Sequence, residues 1–193
     1  MTDEYILQKV LDGNTHIFSV IVDRYKDKVF GMVYRFTGDY SEAQDLSQEV
    51  FIRLFKNLHL FDKRSEFSTW VYRISYNLCI DWSRKNKKRL KQVFSRDDNS
   101  LELTTGEMDV EETCIERQKR ITLRNSINNL KEKYRTVLIL FHFQGLSYEE
   151  IGDILKIPVK TVETRLYRGR NILKKILSKH YAGGELYEMQ ADS

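Results

Sequence analysis

The chain has 193 residues, room for one domain or two small ones. A single Pro and nine Gly, set against abundant Leu, Ile, Lys, Glu and Arg, disfavour a turn-rich β fold and favour helices. Thirty-two Lys and Arg against 28 Asp and Glu leave +4, a small excess that hides strong local segregation of charge.

The N-terminus, Met1-Thr2-Asp3-Glu4, has neither the basic n-region nor the apolar h-region of a secretory signal. From Thr15 to Phe36 the residues Ile17, Phe18, Ile21, Val22, Tyr25, Val29, Val33 and Phe36 keep the i, i+3, i+4 rhythm of one helix face, and Gly38-Asp39 breaks it. Ser41 with Gln44 three residues on has the spacing of a capping box. It predicts a second helix with Leu46, Val50, Leu54 and Leu58 in one stripe and Phe51 and Phe55 beside it. His59 to Phe67 predicts a loop mixing aromatics and charges. A third helix, from Ser68 or Thr69, carries Val71, Ile74, Leu78 and Trp82 inward. It ends in the run Arg84–Lys91, where six of eight residues are basic.

The charge then inverts. Between Ser95 and Glu116 lie eight acids and one base, Arg96, with no helical apolar period from Arg96 to Glu111. This predicts a flexible, self-repelling linker. Thr113 and Glu116 have capping-box spacing and reopen helix, with Leu123, Ile127 and Leu130 in one stripe, then Tyr134, Val137, Leu138 and Phe141. The longest apolar run, Val137 to Phe141, is far short of the ~20 residues of a membrane span. Residues 183–193 have little to bury and are expected to be a disordered tail. Cys79 and Cys114 fit neither a disulfide scaffold nor a zinc site; they suit a reducing compartment and small core or linker positions.

Residues 145–168 carry the clearest mechanism. Gly145 can take the left-handed conformation that ends a helix. Ser147-Tyr148-Glu149-Glu150 is a capping box, followed by Ile151, Ile154 and Leu155 facing inward. Lys156-Ile157-Pro158 makes a turn, because Pro158 disfavours helix at the residue before it. A second helix turns Val159, Val162 and Leu166 inward and presents Lys160, Thr161, Glu163, Thr164, Arg165, Tyr167 and Arg168 outward. From Lys160 to Lys179 seven bases stand against one acid, Glu163. A tight pair of short helices, the second basic and hydroxyl-rich outside, describes a helix-turn-helix entering a major groove. Lys and Arg there can neutralise phosphates, while Thr, Arg and Glu can read base edges. An ordinary helical hairpin with a solvated face is the alternative.

A second nucleic-acid signal precedes the basic run. Asp62 to Trp70 interleaves bases, hydroxyls and aromatics, a composition able to stack on unpaired bases and hold phosphates. Thr69, Arg73, Asn77, Arg84 and Lys88 line up on the following helix. Phe67 and Trp70 would serve equally as core.

Together these segments resemble the extracytoplasmic-function sigma factors of bacterial RNA polymerase. Asp45 to Arg53 resembles the family's core-binding segment, Phe67 to Asn77 its −10 segment, and Gly145 to Val162 its −35 helix-turn-helix, in family order over about residues 18–175. The resemblance implies an all-α chain of two small helical domains: region 2 over 1–93, an acidic linker over 94–112 and region 4 over 113–182. It implies that Asp45, Gln48, Glu49 and Arg53 face the clamp of the polymerase largest subunit. Their i, i+3, i+4 and i+8 spacing does put them on one helix side; a solvated charged face would look the same. Lys63, Arg64, Ser65, Phe67, Thr69, Trp70, Arg73, Asn77, Arg84 and Lys88 would engage the −10 element, where one base is flipped into a pocket. Lys160, Thr161, Glu163, Thr164, Arg165, Tyr167 and Arg168 would face the −35 element, with Glu163 departing from the basic residue that many relatives place there. The missing signal, the short apolar runs and the cysteine usage predict a soluble, cytoplasmic protein; the family implies a stress or envelope response and a dedicated anti-sigma factor that is often membrane-anchored.

Distance is consistent with this. Ser95 to Glu116 can extend to about 70–75 Å, and promoter elements two helical turns apart are separated by about 68–72 Å. A dimeric helix-turn-helix regulator would explain residues 145–179 alone and leave Asp45–Arg53 and the aromatic loop without a role. An enzyme is disfavoured: His16, His59, His142 and His180 are scattered, and no glycine-rich phosphate loop, HExxH or GxSxG is present. No metal or cofactor is expected. A partner-only adaptor would not need the basic segments.

Overall fold

The computed structural model describes residues 1–86 and 114–180, and among these there are eight α-helices and no strand. The first unit holds α1 (Asp3–Leu11), α2 (Phe18–Thr37), α3 (Tyr40–Lys56) and α4 (Phe67–Lys85). The second holds α5 (Cys114–Asn128), α6 (Glu132–Leu138), a π-turn (Ile139–Phe143), α7 (Tyr148–Leu155) and α8 (Val159–His180). The predicted acidic linker, most of the basic run after Lys85, Thr113 of the predicted capping box and the predicted tail lie outside the described residues.

In the first unit α2, α3 and α4 pack on one another around Ile21, Val29, Met32, Val33, Val50, Leu54 and Val71, all fully buried. The helix predicted from Thr15 begins with one 3-10 turn, Thr15–Ile17, before α2 proper. The predicted Ser41 cap is corrected to Asp39. Asp39 is extended (φ −127°, ψ 131°) and its carboxylate accepts the Glu42 N–H at 3.0 Å, so the helix is already under way at Ser41. α4 likewise opens at Phe67, ahead of the predicted start. α1 was not anticipated. Thr2 caps it, Ile6, Leu7 and Val10 bury its inner face, and Asp3 holds it to α2 through Arg24 and the Tyr25 hydroxyl.

The second unit is built on α8, which packs against α5, α6 and α7 through Val162, Leu166 and Leu173. Gly145 takes φ 65° after the π-turn, a backbone state that favours glycine. The Ser147–Glu150 capping box is present in both directions: Glu150 N–H to Ser147 Oγ at 3.2 Å, and Ser147 N–H to Glu150 Oε2 at 2.8 Å. Lys156 turns left-handed (φ 53°) to end α7, and the Pro158 carbonyl accepts the Thr161 N–H that opens α8. Two predicted inward residues are corrected. Val159, in the first turn of α8, is 40% exposed, and Leu123 on α5 is 38% exposed.

The two units touch. α4 carries two buried stripes roughly a third of a turn apart. Phe67, Val71, Ser75 and Leu78 belong to its own bundle, while Thr69, Tyr72, Tyr76 and Cys79 sense groups of the second unit. The Thr69 hydroxyl donates to Glu150 Oε1 at 3.2 Å. Burial pushes the Tyr72 phenol up to about 12, with the Glu150 carboxylate adding to the rise. Burial also raises the Tyr76 phenol; Glu132 adds to this and Arg165 opposes it. The fully buried Cys79 thiol is raised by desolvation, against the pull of Arg135.

Candidate polymerase and DNA interfaces

The acidic face on α3 forms because Ala43, Ser47, Val50 and Leu54 are buried on the other side. Asp45, Gln48 and Arg53 are exposed and Glu49 is half-buried. Arg53 Nε donates to Glu49 Oε1 at 2.7 Å, an i, i+4 pair whose members are both about half exposed. Such a pair contributes ~0.3–0.5 kcal/mol and leaves the face free to exchange partners. Beyond it Ile52 and Phe55 remain 46% and 41% exposed, so the polar face continues into an apolar one.

The aromatic loop and α4 divide the predicted −10 residues. Lys63 is exposed in a left-handed conformation (φ 58°), Arg64 is exposed and pairs with Asp62 at 3.2 Å, and Ser65 is half-buried. Asn77 and Arg84 are exposed on the solvent side of α4, the latter 3.9 Å from Asp81. Arg73, one turn before Asn77, is half-buried, with its Nε buried and without a hydrogen-bond partner. Trp70 is half-buried against Phe61 and Phe67, with ring centroids 5.4 and 5.7 Å away.

Two residues differ from expectation. Phe67 is 3% exposed, edge-on to Tyr25 and Phe61, which is the core position that its spacing left open. Thr69 is 1% exposed and turned toward Glu150, away from the solvent side. Lys88 lies outside the described residues.

The second unit gathers its predicted residues most completely. Lys160, Glu163, Thr164, Tyr167 and Arg168 are exposed along α8, and Thr161 and Arg165 are half-buried. Lys160 and Thr164 form a ridge between two shallow grooves. Arg165 and Arg168 lie on one side with Lys133 and Tyr134 of α6, and Glu163 and Tyr167 lie on the other with Tyr148. The first groove has a volume of about 450 Å³. The Thr164 hydroxyl donates to the Lys160 carbonyl at 2.7 Å and so presents its lone pairs outward. Tyr167, 67% exposed, offers a large aromatic to whatever fills the second groove. Lys133 and Tyr134 were not anticipated as lining residues, because only the packing of α6 on α8 brings them there.

Gly152 fixes the angle between α7 and α8. A Cβ there would stand 3.0 Å from the Ile157 carbonyl oxygen and 3.7 Å from Val159 Cγ2, so only glycine lets the turn close this tightly. Below the pair, Arg170 Nε donates to His142 Nε2 at 3.3 Å, and its guanidinium lies 5.3 Å from the Phe141 ring. Burial, with Arg170 adding to it, lowers the His142 pKa. Among the described residues no group of three or more His, Cys, Asp or Glu side chains converges as a metal site would require, and no helix is long and apolar enough to cross a membrane.

Comparison with known proteins points to one family. Residues 21–89 match the family model for sigma-70 region 2, and residues 120–173 that for sigma-70 region 4. The chain is 39% identical over 176 residues to the ECF RNA polymerase sigma factor SigW of Bacillus subtilis, covering 89% of this chain and 94% of that protein. Its fold resembles CnrH, solved in complex with the cytosolic domain of CnrY, with a TM-score of 0.68, 21% identity and coverage of 92% of this chain and 97% of that one. It also resembles the sigma factor RpoE of Bartonella quintana, solved with the anti-sigma factor NepR, with a TM-score of 0.63, 20% identity and coverage of 83% and 96%. The chain therefore belongs to the extracytoplasmic-function sigma factors, which bind core RNA polymerase and direct promoter-specific initiation of transcription.

Proposed function

We propose how the work is divided among the residues of this sigma factor. Asp45, Gln48, Glu49 and Arg53 on α3 dock on the clamp of the polymerase largest subunit. Lys63, Arg64, Ser65, Trp70, Arg73, Asn77, Arg84 and Lys88 engage the −10 element, with Arg73 Nε as a donor that a nucleotide would satisfy. Phe67 supports that surface from the core, and Thr69 joins it when the second unit moves away. Lys160, Thr161, Glu163, Thr164, Arg165, Tyr167 and Arg168 face the −35 element. The exposed Lys160–Thr164 ridge, flanked by Arg165 and Arg168, carries this reading most directly: it has the shape and charge of a helix that enters a major groove. Residues 1–93 and 113–182 act as separate domains joined by the acidic 94–112 segment. The chain works in the cytoplasm, in a stress or envelope response, under a dedicated anti-sigma factor that is membrane-anchored.

Run-off transcription with purified core polymerase and a genomic promoter library tests the division. Transcripts should start downstream of a shared pair of elements. Asn77→Ala or Trp70→Ala should lower promoter opening, read by permanganate reactivity of thymines, more than duplex binding. Equal opening by the variants and the parent would return the aromatic loop to a purely structural role.

A further inference from the structure

Seven bases stand along α8 from Lys160 to Lys179, and among the described residues Arg170 alone of them hydrogen-bonds a side chain of another element. The π-turn between α6 and α7 makes this possible. Its consecutive residues Phe141 and His142 set their rings edge to face, 5.0 Å apart, and both reach Arg170. The guanidinium lies 5.3 Å from the Phe141 ring centroid, and its Nε donates to His142 Nε2 at 3.3 Å. Phe141 is itself backed by Tyr148 of α7, with ring centroids 5.3 Å apart.

One long hydrogen bond and one ring contact add little to the fold, but together they give a long, otherwise mobile side chain a fixed direction. Burial and Arg170 itself both lower the His142 pKa, so at neutral pH Nε2 keeps the lone pair that this bond needs. With Nε engaged, the four N–H of the terminal nitrogens remain, and no hydrogen bond takes them among the described residues. Arg170 lines the second groove of α8, with Lys160 toward its other end, about 15 Å away along the helix. Glu163, Thr164 and Tyr167 lie along α8 between them, and Glu163 is not paired with Arg170. Cations bounding a stretch that carries Glu163 and Thr164 suit phosphates at the ends and base edges between.

We propose that Arg170 anchors a phosphate at the edge of the −35 element and that His142 is its positioning residue, aiming the guanidinium into the second groove from the π-turn. Neither residue is among those that face the element from the outer side of α8. A phosphate contact of this kind carries no sequence information; it fixes the register in which Glu163 and Thr164 meet base edges. The proposal rests on the −35 reading of α8 for its ligand and on the His142–Arg170–Phe141 contacts for the coupling, so the two are measured separately.

Holoenzyme binding to promoter duplexes with the preferred or a scrambled −35 sequence is followed across a salt series. The parent is compared with Arg170→Ala, His142→Leu, the two together, and His142→Gln. Arg170→Ala should weaken binding to both duplexes about equally and reduce the salt slope by roughly one unit. His142→Leu should weaken binding by about three- to tenfold, the range of one hydrogen bond, and the double variant should bind no more weakly than Arg170→Ala. His142→Gln, whose amide oxygen can accept from Nε, should stay within about twofold of the parent. His142 is only partly covered, so helicity should be unchanged in every variant; His142→Ala repeats the comparison if His142→Leu lowers it. An unaltered salt slope in Arg170→Ala would overturn the phosphate anchor. Losses that multiply in the double variant, or a His142→Gln protein as weak as His142→Leu, would overturn the positioning role. A parent that binds both −35 sequences alike would strike the −35 reading and the anchor with it, whereas multiplying losses in a parent that discriminates would strike the coupling alone.

Discussion

The Thr69 hydroxyl reaches Glu150 Oε1 across 3.2 Å while Glu150 Oε2 accepts the Ser147 N–H at 2.8 Å. One carboxylate thus closes a local helix cap and a contact between residues 81 positions apart. Glu150→Ala should lose both and destabilise the chain by about 1–2 kcal/mol in urea unfolding, the range of a lost cap. Glu150→Gln keeps a carbonyl for the cap and an amide for Thr69 and should cost less than about half of that. Equal losses would mean that the charge of Glu150, rather than its hydrogen bonds, carries the effect.

Gly152→Ala tests the angle of the helix-turn-helix. The new methyl would sit 3.0 Å from a backbone oxygen, so the turn rather than a flexible side chain must give way. We expect a loss of about 1–3 kcal/mol in thermal stability, with −35 binding reduced more than a general loss of folded protein explains. A variant as stable as the parent would show that the turn can widen freely.

Asp45→Lys with Glu49→Lys should weaken holoenzyme formation with little change in melting temperature. Glu49 pairs with Arg53 in an exposed bridge that contributes ~0.3–0.5 kcal/mol, too little to hold the fold. Titration of core polymerase, with circular dichroism on the same samples, separates docking from folding. A fall in helicity would assign these residues to the fold.

His142 gives the chain a pH dependence with a defined sign. Burial, then Arg170, holds its folded pKa below the ordinary value, so the unfolded chain takes up a proton first as pH falls. Stability should be complete above the unfolded pKa of about 6.5 and decline as pH drops through the lower folded value. His142→Gln should flatten the melting temperature over that range relative to the parent. An identical slope in both proteins would place the titration elsewhere.

What could be read in the sequence follows the range of the interaction that decides each feature. Ser147–Glu150 was legible because both bonds of the capping box lie within four residues, and the inward stripe of α2 because helix period alone creates it. The choice of Asp39 over Ser41 was not: both can cap, and the extended backbone at Asp39 decides between them. α1 is short, and its place depends on Asp3 meeting Arg24 and Tyr25 of another helix. The second buried stripe of α4 was illegible for the strongest reason. Thr69, Tyr72, Tyr76 and Cys79 look like one more side of an amphipathic helix until the second unit covers them. Tyr134, read only as part of a helix stripe, and Lys133, which no sequence signal singled out, reach the groove beside Arg165 and Arg168 for the same reason, through the packing of α6 on α8.

Base reading and phosphate contact on α8 should separate by position. Arg165 and Arg168 line the groove beside the Lys160–Thr164 ridge, whereas Lys175 is exposed two turns further on. Lys175→Ala should weaken holoenzyme binding to all promoters about equally and reduce the salt slope by roughly one unit. Arg165→Ala should cost about 1–3 kcal/mol on the preferred −35 sequence and less on a scrambled one. Arg165 also lies near Tyr76, whose phenol its charge helps to ionise, so the comparison is made in holoenzyme at fixed salt rather than on the free chain. Equal losses on both promoters would make Arg165 a phosphate contact and leave discrimination to Glu163 and Thr164. Glu163→Gln then becomes the deciding variant: an acid that accepts from cytosine N4 should lose its preference for that base when neutralised, while an acid that only faces solvent should bind DNA slightly better without its charge.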